Sequence, residues 1–203
     1  MKKLYFLILV FIFSISVISC AEDKNLLIDD FEAVISGGED GTVDFGAGNG
    51  SSVEVSAAAD IKNSGKQSLK VSFNSVSGGY MWIARGFGLD AKNANWLVKP
   101  EDINWKDFSA FSFYVFGNDS KVKVAFDIKD NGNEMWRFMF TDDFKGWKKI
   151  APAFSEFFVR GDWQPESADK NAALDFPLKS FQFEPRTEAK GALYFDTVEL
   201  LKK

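Results

Sequence analysis

From residue 68 onward, apolar and polar residues alternate with a period of two. Leu69, Val71 and Phe73 share one face of a run at 68–73. At 80–85, Tyr80 and Trp82 point opposite to Met81 and Ile83. Phe111, Phe113 and Val115 share a face, as do Val122, Val124, Phe126 and Ile128, with Lys123, Ala125, Asp127 and Lys129 on the other side. At 134–140, Trp136, Phe138 and Phe140 oppose Met135, Arg137 and Met139, and Phe181 and Phe183 alternate with Gln182 and Glu184. Side chains of an extended chain point alternately to either side, so these runs predict half-buried β-strands.

Turn-forming residues separate the runs: Gly37-Gly38, Gly48-Asn49-Gly50, Gly78-Gly79, Gly117-Asn118 and Asp130-Asn131-Gly132-Asn133. The last, flanked by alternating runs, predicts a hairpin. Phe154 to Phe158 fits one helical turn, and no longer stretch carries a 3.6-residue apolar period. Lys92 to Asn104 reads as the longest loop, with Trp96 inside it. Short strands with regular turns predict an all-β fold, a two-sheet antiparallel β-sandwich in one domain. Most of the 22 phenylalanines are expected in its core.

The two ends carry similar phrases, Leu26 to Glu32 (LLIDDFE) and Ala192 to Leu200 (ALYFDTVEL). Each sets carboxylates into a short apolar run, and strands from opposite ends of a chain can pair at the rim of a sandwich. The N-terminal stretch reads differently. Lys2 and Lys3 precede an apolar run from Leu4 to Ile18 that ends at Val17-Ile18-Ser19-Cys20. This resembles a bacterial lipoprotein signal over residues 1–19, with Cys20 the expected lipidation site. Residues 20–26 then form a lipidated tether and 27–203 the domain. The expected location is the bacterial cell envelope, lipid-anchored outside the cytoplasmic membrane on either the periplasmic side or the cell surface.

Composition narrows the chemistry. Cys20 is the only cysteine, so no disulfide and no catalytic thiol is expected. The chain has no histidine, which removes Ser-His-Asp triads, histidine-bound zinc and the usual general base near neutral pH. Beyond the signal, 22 basic residues face 29 acidic ones, and no basic stripe offers a nucleic-acid surface.

Several segments resemble one family. Asn104 to Gly117 (NWKDFSAFSFYVFG), Gly146 to Phe157 (GWKKIAPAFSEF), Ser64 to Val71 (SGKQSLKV), Asp29 to Glu32 (DDFE) and Phe195 to Leu200 (FDTVEL) are similar, in order, to motifs of the galactose-binding-like jelly rolls. The resemblance is nearest to carbohydrate-binding module family 11 and to the related complex I assembly-factor family. It implies a β-jelly roll whose concave face binds a glycan chain, and a structural calcium ion where the first and last strands meet. Asp30, Glu32 and Asp196 would be its side-chain ligands, with carbonyls near Lys66 contributing, because calcium takes six to eight oxygens.

Strand parity places the other polar residues on the face away from the core. Asp127 and Arg137 flank the hairpin on neighbouring strands and are placed to pair across it, with Gln182 and Glu184 in the same phase on a later strand. Tyr80 and Trp82 would supply a stacking platform bordered by Arg85 and Trp163. The expected function is non-catalytic glycan binding, in which Trp82→Ala or Arg137→Ala weakens binding without unfolding the domain. A protein-interaction role on the same scaffold is the alternative, since fold alone does not fix the ligand. A glycosidase or lyase using Asp127 and Glu184 is a third reading.

Overall fold

The computed structural model describes residues 25–186 and 188–203. The signal segment, Cys20 and most of the tether therefore lie outside the described residues. The described residues form twelve strands: β1 (Leu26–Asp29), β2 (Asp44–Gly48), β3 (Ser52–Ala58), β4 (Ser68–Ser75), β5 (Tyr80–Gly86), β6 (Phe108–Asn118), β7 (Lys123–Lys129), β8 (Met135–Thr141), β9 (Lys145–Ile150), β10 (Phe158–Val159), β11 (Ser180–Pro185) and β12 (Ala189–Lys202). They make two antiparallel six-stranded sheets. One has the order β3-β4-β12-β6-β9, with β1 also on β12; the other has the order β10-β8-β7-β11-β5-β2. This is the two-sheet sandwich that the alternation predicts.

The predicted inward faces are the inward faces. Leu69, Val71, Phe111, Phe113, Val115, Val124, Phe126, Ile128, Phe181 and Phe183 are buried between the sheets. Aromatic rings bridge the two layers: Phe183 of β11 stacks on Phe195 of β12 at 3.8 Å, and Phe113 of β6 meets Phe126 of β7 at 4.6 Å. Residues 130–133 close the β7–β8 hairpin, and the buried Asp130 carboxylate accepts from the Glu134 backbone N–H and the Trp136 indole. The helical turn falls at Phe154–Glu156. Trp96 folds inward from the long loop, donates to the Arg85 carbonyl at 3.0 Å and stacks on Phe181.

The chain ends meet as their paired phrases suggest. β12 is fourteen residues long, and no single neighbour covers its whole edge. β4 pairs with residues 189–195, and β1 takes over at residues 198–200. A bulge between Asp196 and Glu199 marks the handover on the β6 side, with Thr197 at φ 49°.

Candidate functional site

Residues on one face of the second sheet form a register row across all six strands. Asp44 lies opposite Ala84, Ala84 opposite Gln182, Gln182 opposite Asp127, Asp127 opposite Arg137, and Arg137 opposite Phe158. An open cleft of about 900 Å³ lies over part of this sheet. Tyr80, Trp82, Gln182, Glu184 and Trp163 all line it, as the sequence reading expects.

Asp127, Arg137 and Glu184 form a buried polar network in this sheet, and of the three Glu184 alone lines the cleft; Asp127 and Arg137, expected from the sequence to face a ligand, do not. The Arg137 guanidinium grips Asp127 with both prongs, Nε to Oδ1 at 2.7 Å and Nη2 to Oδ2 at 2.8 Å. The same Nη2 donates to Glu184 Oε2 at 2.7 Å. Gln182 Nε2 donates to Asp127 Oδ2 at 3.1 Å. Two further arginines and one carboxylate, not singled out from the sequence, complete the network. Arg160 reaches Asp127 at 3.1 Å and Asp162 at 2.7 Å. Arg186 reaches Glu184 and Asp162, each at 2.8 Å. Three guanidiniums thus face three carboxylates, and each carboxylate oxygen of Asp127 and Glu184 has a guanidinium donor.

The charges are set by this arrangement. Burial works to raise the Asp162 carboxyl, but Arg160 first, then Arg137 and Arg186, outweigh it and hold it below the usual carboxylate range. Burial works against the Arg137 charge as well, and Asp127 overcomes it, so the guanidinium is held more firmly protonated than in water. Glu184 is pushed up by burial, against the pull of Arg160, Arg186 and Arg137. A charge network of this kind is stable only when every member is paired.

The aromatic wall stands beside this network. Tyr80 and Trp82, two apart on β5, stack at 6.2 Å with an interplanar angle of 14°. The Trp82 indole donates to Asp44 Oδ1 at 2.9 Å, and Asp44 Oδ2 accepts from the Asp90 backbone N–H at 2.8 Å. Trp163 lies over the Arg160 guanidinium at 5.4 Å and is 53 % exposed. Of the six tryptophans, Trp96, Trp105 and Trp136 are core, and Trp147 packs edge-on against Phe116 on the other sheet. Trp82 and Trp163 are the two that reach the cleft.

Arg85 does not border the cleft. It shares the inward phase of Met81 and Ile83 and is buried against Asp29, Nε to Oδ2 at 2.6 Å and Nη2 to Oδ1 at 3.1 Å. The Asp29 carboxyl is pushed up by burial, against the pull of Arg85. Arg85 thus pins β1 to the opposite sheet and is not a ligand-facing group.

Asp30, Glu32 and Asp196 do not converge on a common point. Glu32 Oε1 accepts from the backbone N–H groups of Lys66 at 2.8 Å and Gln67 at 3.3 Å. Asp196 Oδ2 accepts from those of Asn63 at 2.7 Å and Ser64 at 3.0 Å. Asp30 accepts from the Glu32 backbone N–H at 3.0 Å. Among the described residues, no group of three or more His, Cys, Asp or Glu side chains is arranged to hold a metal ion. The set as placed does not fit a calcium site, because its carboxylates face N–H donors and calcium needs a ring of oxygens. It is a hydrogen-bonded clasp between the 62–67 loop and the two ends of the chain.

A jelly-roll sandwich whose second sheet carries an exposed aromatic wall beside a fully paired polar network belongs to the class of carbohydrate-binding β-sandwich modules. The sequence matches the carbohydrate binding domain (family 11) over residues 17–203, and the chain belongs to that family. It is similar to endoglucanase H of Acetivibrio thermocellus, 27 % identical over 179 residues, which cover 86 % of this chain and 18 % of that enzyme. The chain therefore spans less than a fifth of that relative. Among solved structures it is similar to a family 11 carbohydrate-binding module from Clostridium thermocellum in complex with a β-1,3-1,4-mixed-linked tetrasaccharide. The TM-score is 0.67 and the identity 22 %, covering 88 % of this chain and 95 % of that one. It is also similar to the family 11 module of the cellulosomal cellulase Lic26A-Cel5E of Clostridium thermocellum, with TM-score 0.67 and 21 % identity, covering 89 % and 95 %. The family is one of carbohydrate-binding domains, and carbohydrate binding is the function that membership gives this domain.

Proposed function

We propose that the cleft over the second sheet holds a neutral β-glucan, without cleaving it, on a protein lipid-anchored in a bacterial envelope. The observation that carries this reading is the stacked Tyr80–Trp82 pair lining the same cleft as the polar side chains of Gln182, Arg160, Asp162 and Arg186. A sugar ring offers C–H faces that pack on aromatic rings and hydroxyl groups that need donors and acceptors in fixed positions. The aromatic wall and the polar side chains that line the cleft offer both together. The mixed-linkage tetrasaccharide held by the similar Clostridium module supports a β-glucan as the first ligand to try.

The lining argues for a neutral chain. Asp44, Asp90, Asp162, Glu184 and Glu188 outnumber Lys129, Arg160 and Arg186 around the cleft. A polyuronate would bring further negative charge to a lining already rich in it. Binding without hydrolysis follows from the same network. A glycosidase needs one free carboxylic acid and one free carboxylate flanking the bond, whereas Asp127 and Glu184 are both held by guanidiniums. The apolar run ending at Ser19-Cys20 supports the lipid anchor, and Cys20→Ala tests it through loss of fatty-acid labelling and of partition into detergent.

Isothermal titration with a mixed-linkage β-glucan tetrasaccharide, a xylo-oligosaccharide and an oligouronate tests the cleft. The neutral glucan is expected to bind and the oligouronate to fail, with no reducing sugar released on incubation. Absence of binding to every neutral glycan would overturn the reading and favour a protein partner.

A further inference from the structure

We infer that Gly46 and Gly48 of the edge strand β2 are positioning residues for the aromatic wall, and that their function is to leave room for it. The inference rests on the glycan reading of the cleft and adds residues that contribute no side chain to it. In the β2–β5 register Gly46 lies opposite Trp82 and Gly48 opposite Tyr80. A Cβ built on Gly46 would stand 2.5 Å from the outer ring of the Trp82 indole, and one on Gly48 would stand 2.4 Å from the Tyr80 phenol. Both rings therefore lie down over bare backbone where neighbouring strand positions would present side chains. Neither glycine has the positive φ that only glycine adopts freely. The backbone of β2 would accept any L-residue, so space for the rings is what these positions require.

Asp44, Gly46 and Gly48 alternate, so all three share the cleft-facing side of β2. Asp44 holds the indole N–H of Trp82, and the two glycines receive the rings. β2 thus fixes the tilt of the wall before a sugar arrives, and preorganised contacts give affinity because less freedom is lost on binding.

Glycine is unfavourable in strand interiors, and β-branched residues are favoured there. Gly46→Val is therefore expected to leave the melting temperature at or above that of the wild type. Its affinity for the mixed-linkage tetrasaccharide should fall by roughly tenfold or more. Its Trp82 indole ¹H–¹⁵N resonance should move as the bond to Asp44 is lost. Gly46→Ala should give a smaller change in the same direction. In a Trp82→Ala background, Gly46→Val should cost no further affinity.

Equal affinity of wild type and Gly46→Val, or an undiminished loss in the Trp82→Ala background, would overturn the role given to Gly46. Failure of the wild type to bind the tetrasaccharide would overturn the glycan reading instead. In that case the indole resonance still decides whether the glycine sets the position of the ring.

Discussion

Arginine is scarce in this chain, four residues against twenty lysines, and all four are tied to carboxylates. The planar guanidinium fork grips a carboxylate with two parallel bonds and loses less hydration on burial than an ammonium group, so arginine suits a buried pair. Arg137, Arg160 and Arg186 converge on the buried carboxylates of Asp127 and Glu184, and Arg85 pins β1. The expectation that Arg137→Ala weakens binding while leaving the domain folded treats Arg137 as a surface group. Arg137 is buried and holds Asp127 and Glu184, so its removal strands buried charge. Arg137→Ala is expected to cost about 3–5 kcal/mol of stability, read by urea unfolding. Trp82→Ala, by contrast, removes a half-buried ring and should lower affinity for the neutral glucan with little change in the unfolding midpoint. Equal unfolding midpoints for the two variants would show that the buried network does not carry the stability assigned to it.

At the scale of elements, the sequence revealed strands where one face is core and concealed them elsewhere. β4 to β8 and β11 alternate because a packed aromatic layer lies under them. β2 (DFGAG) has no such signature, because its cleft-facing positions are emptied for the rings of β5. β10 is two residues long, and Arg160 and Asp162 follow it in a loop, where no periodicity marks a functional side chain. Asp127, Arg137, Gln182 and Glu184 were legible because strand parity placed them together; Arg160, Asp162 and Arg186 were not, and arginine scarcity was the one signal available for two of them. Arg85 was misplaced for a related reason. It shares the phase of Met81 and Ile83, and only a buried partner such as Asp29 permits a charge there. The clasp shows the same limit. The paired end phrases located it, but three carboxylates in one region do not reveal whether N–H groups or a cation face them. As built, it predicts a melting temperature indifferent to calcium and to a chelator. A site saturated at about a hundred times its dissociation constant would instead add about 2.7 kcal/mol. Asp196→Ala, which frees the N–H groups of Asn63 and Ser64, should cost about 1–3 kcal/mol with or without calcium.

Over the whole molecule, the devices that close the sandwich and those that face the ligand lie on different sides of the second sheet. Asp29 and Arg85 sit between the layers and join β1, on the first sheet, to β5 on the second. Phe31 N–H also donates to Asp29, and the Thr42 carbonyl accepts from Arg85, so the pair is bonded on every side. Removing either partner leaves the other buried and unmatched, and Asp29→Leu or Arg85→Met alone is expected to cost about 3–5 kcal/mol. Removing both removes the mismatch. Asp29→Leu combined with Arg85→Met should therefore recover most of that loss, because well-packed apolar residues often replace a buried ion pair at no net cost. The cycle is read by urea unfolding of the two single variants and the double variant. Additive losses would show that the pair is not coupled and that the chain ends are held by strand pairing alone. Glycan titration of the double variant then separates architecture from function. With the fold recovered, its affinity should equal that of the wild type, because neither residue lines the cleft. A lowered affinity in the recovered fold would return Arg85 to the binding site and would mean that the gap between the sheets and the cleft are not independent.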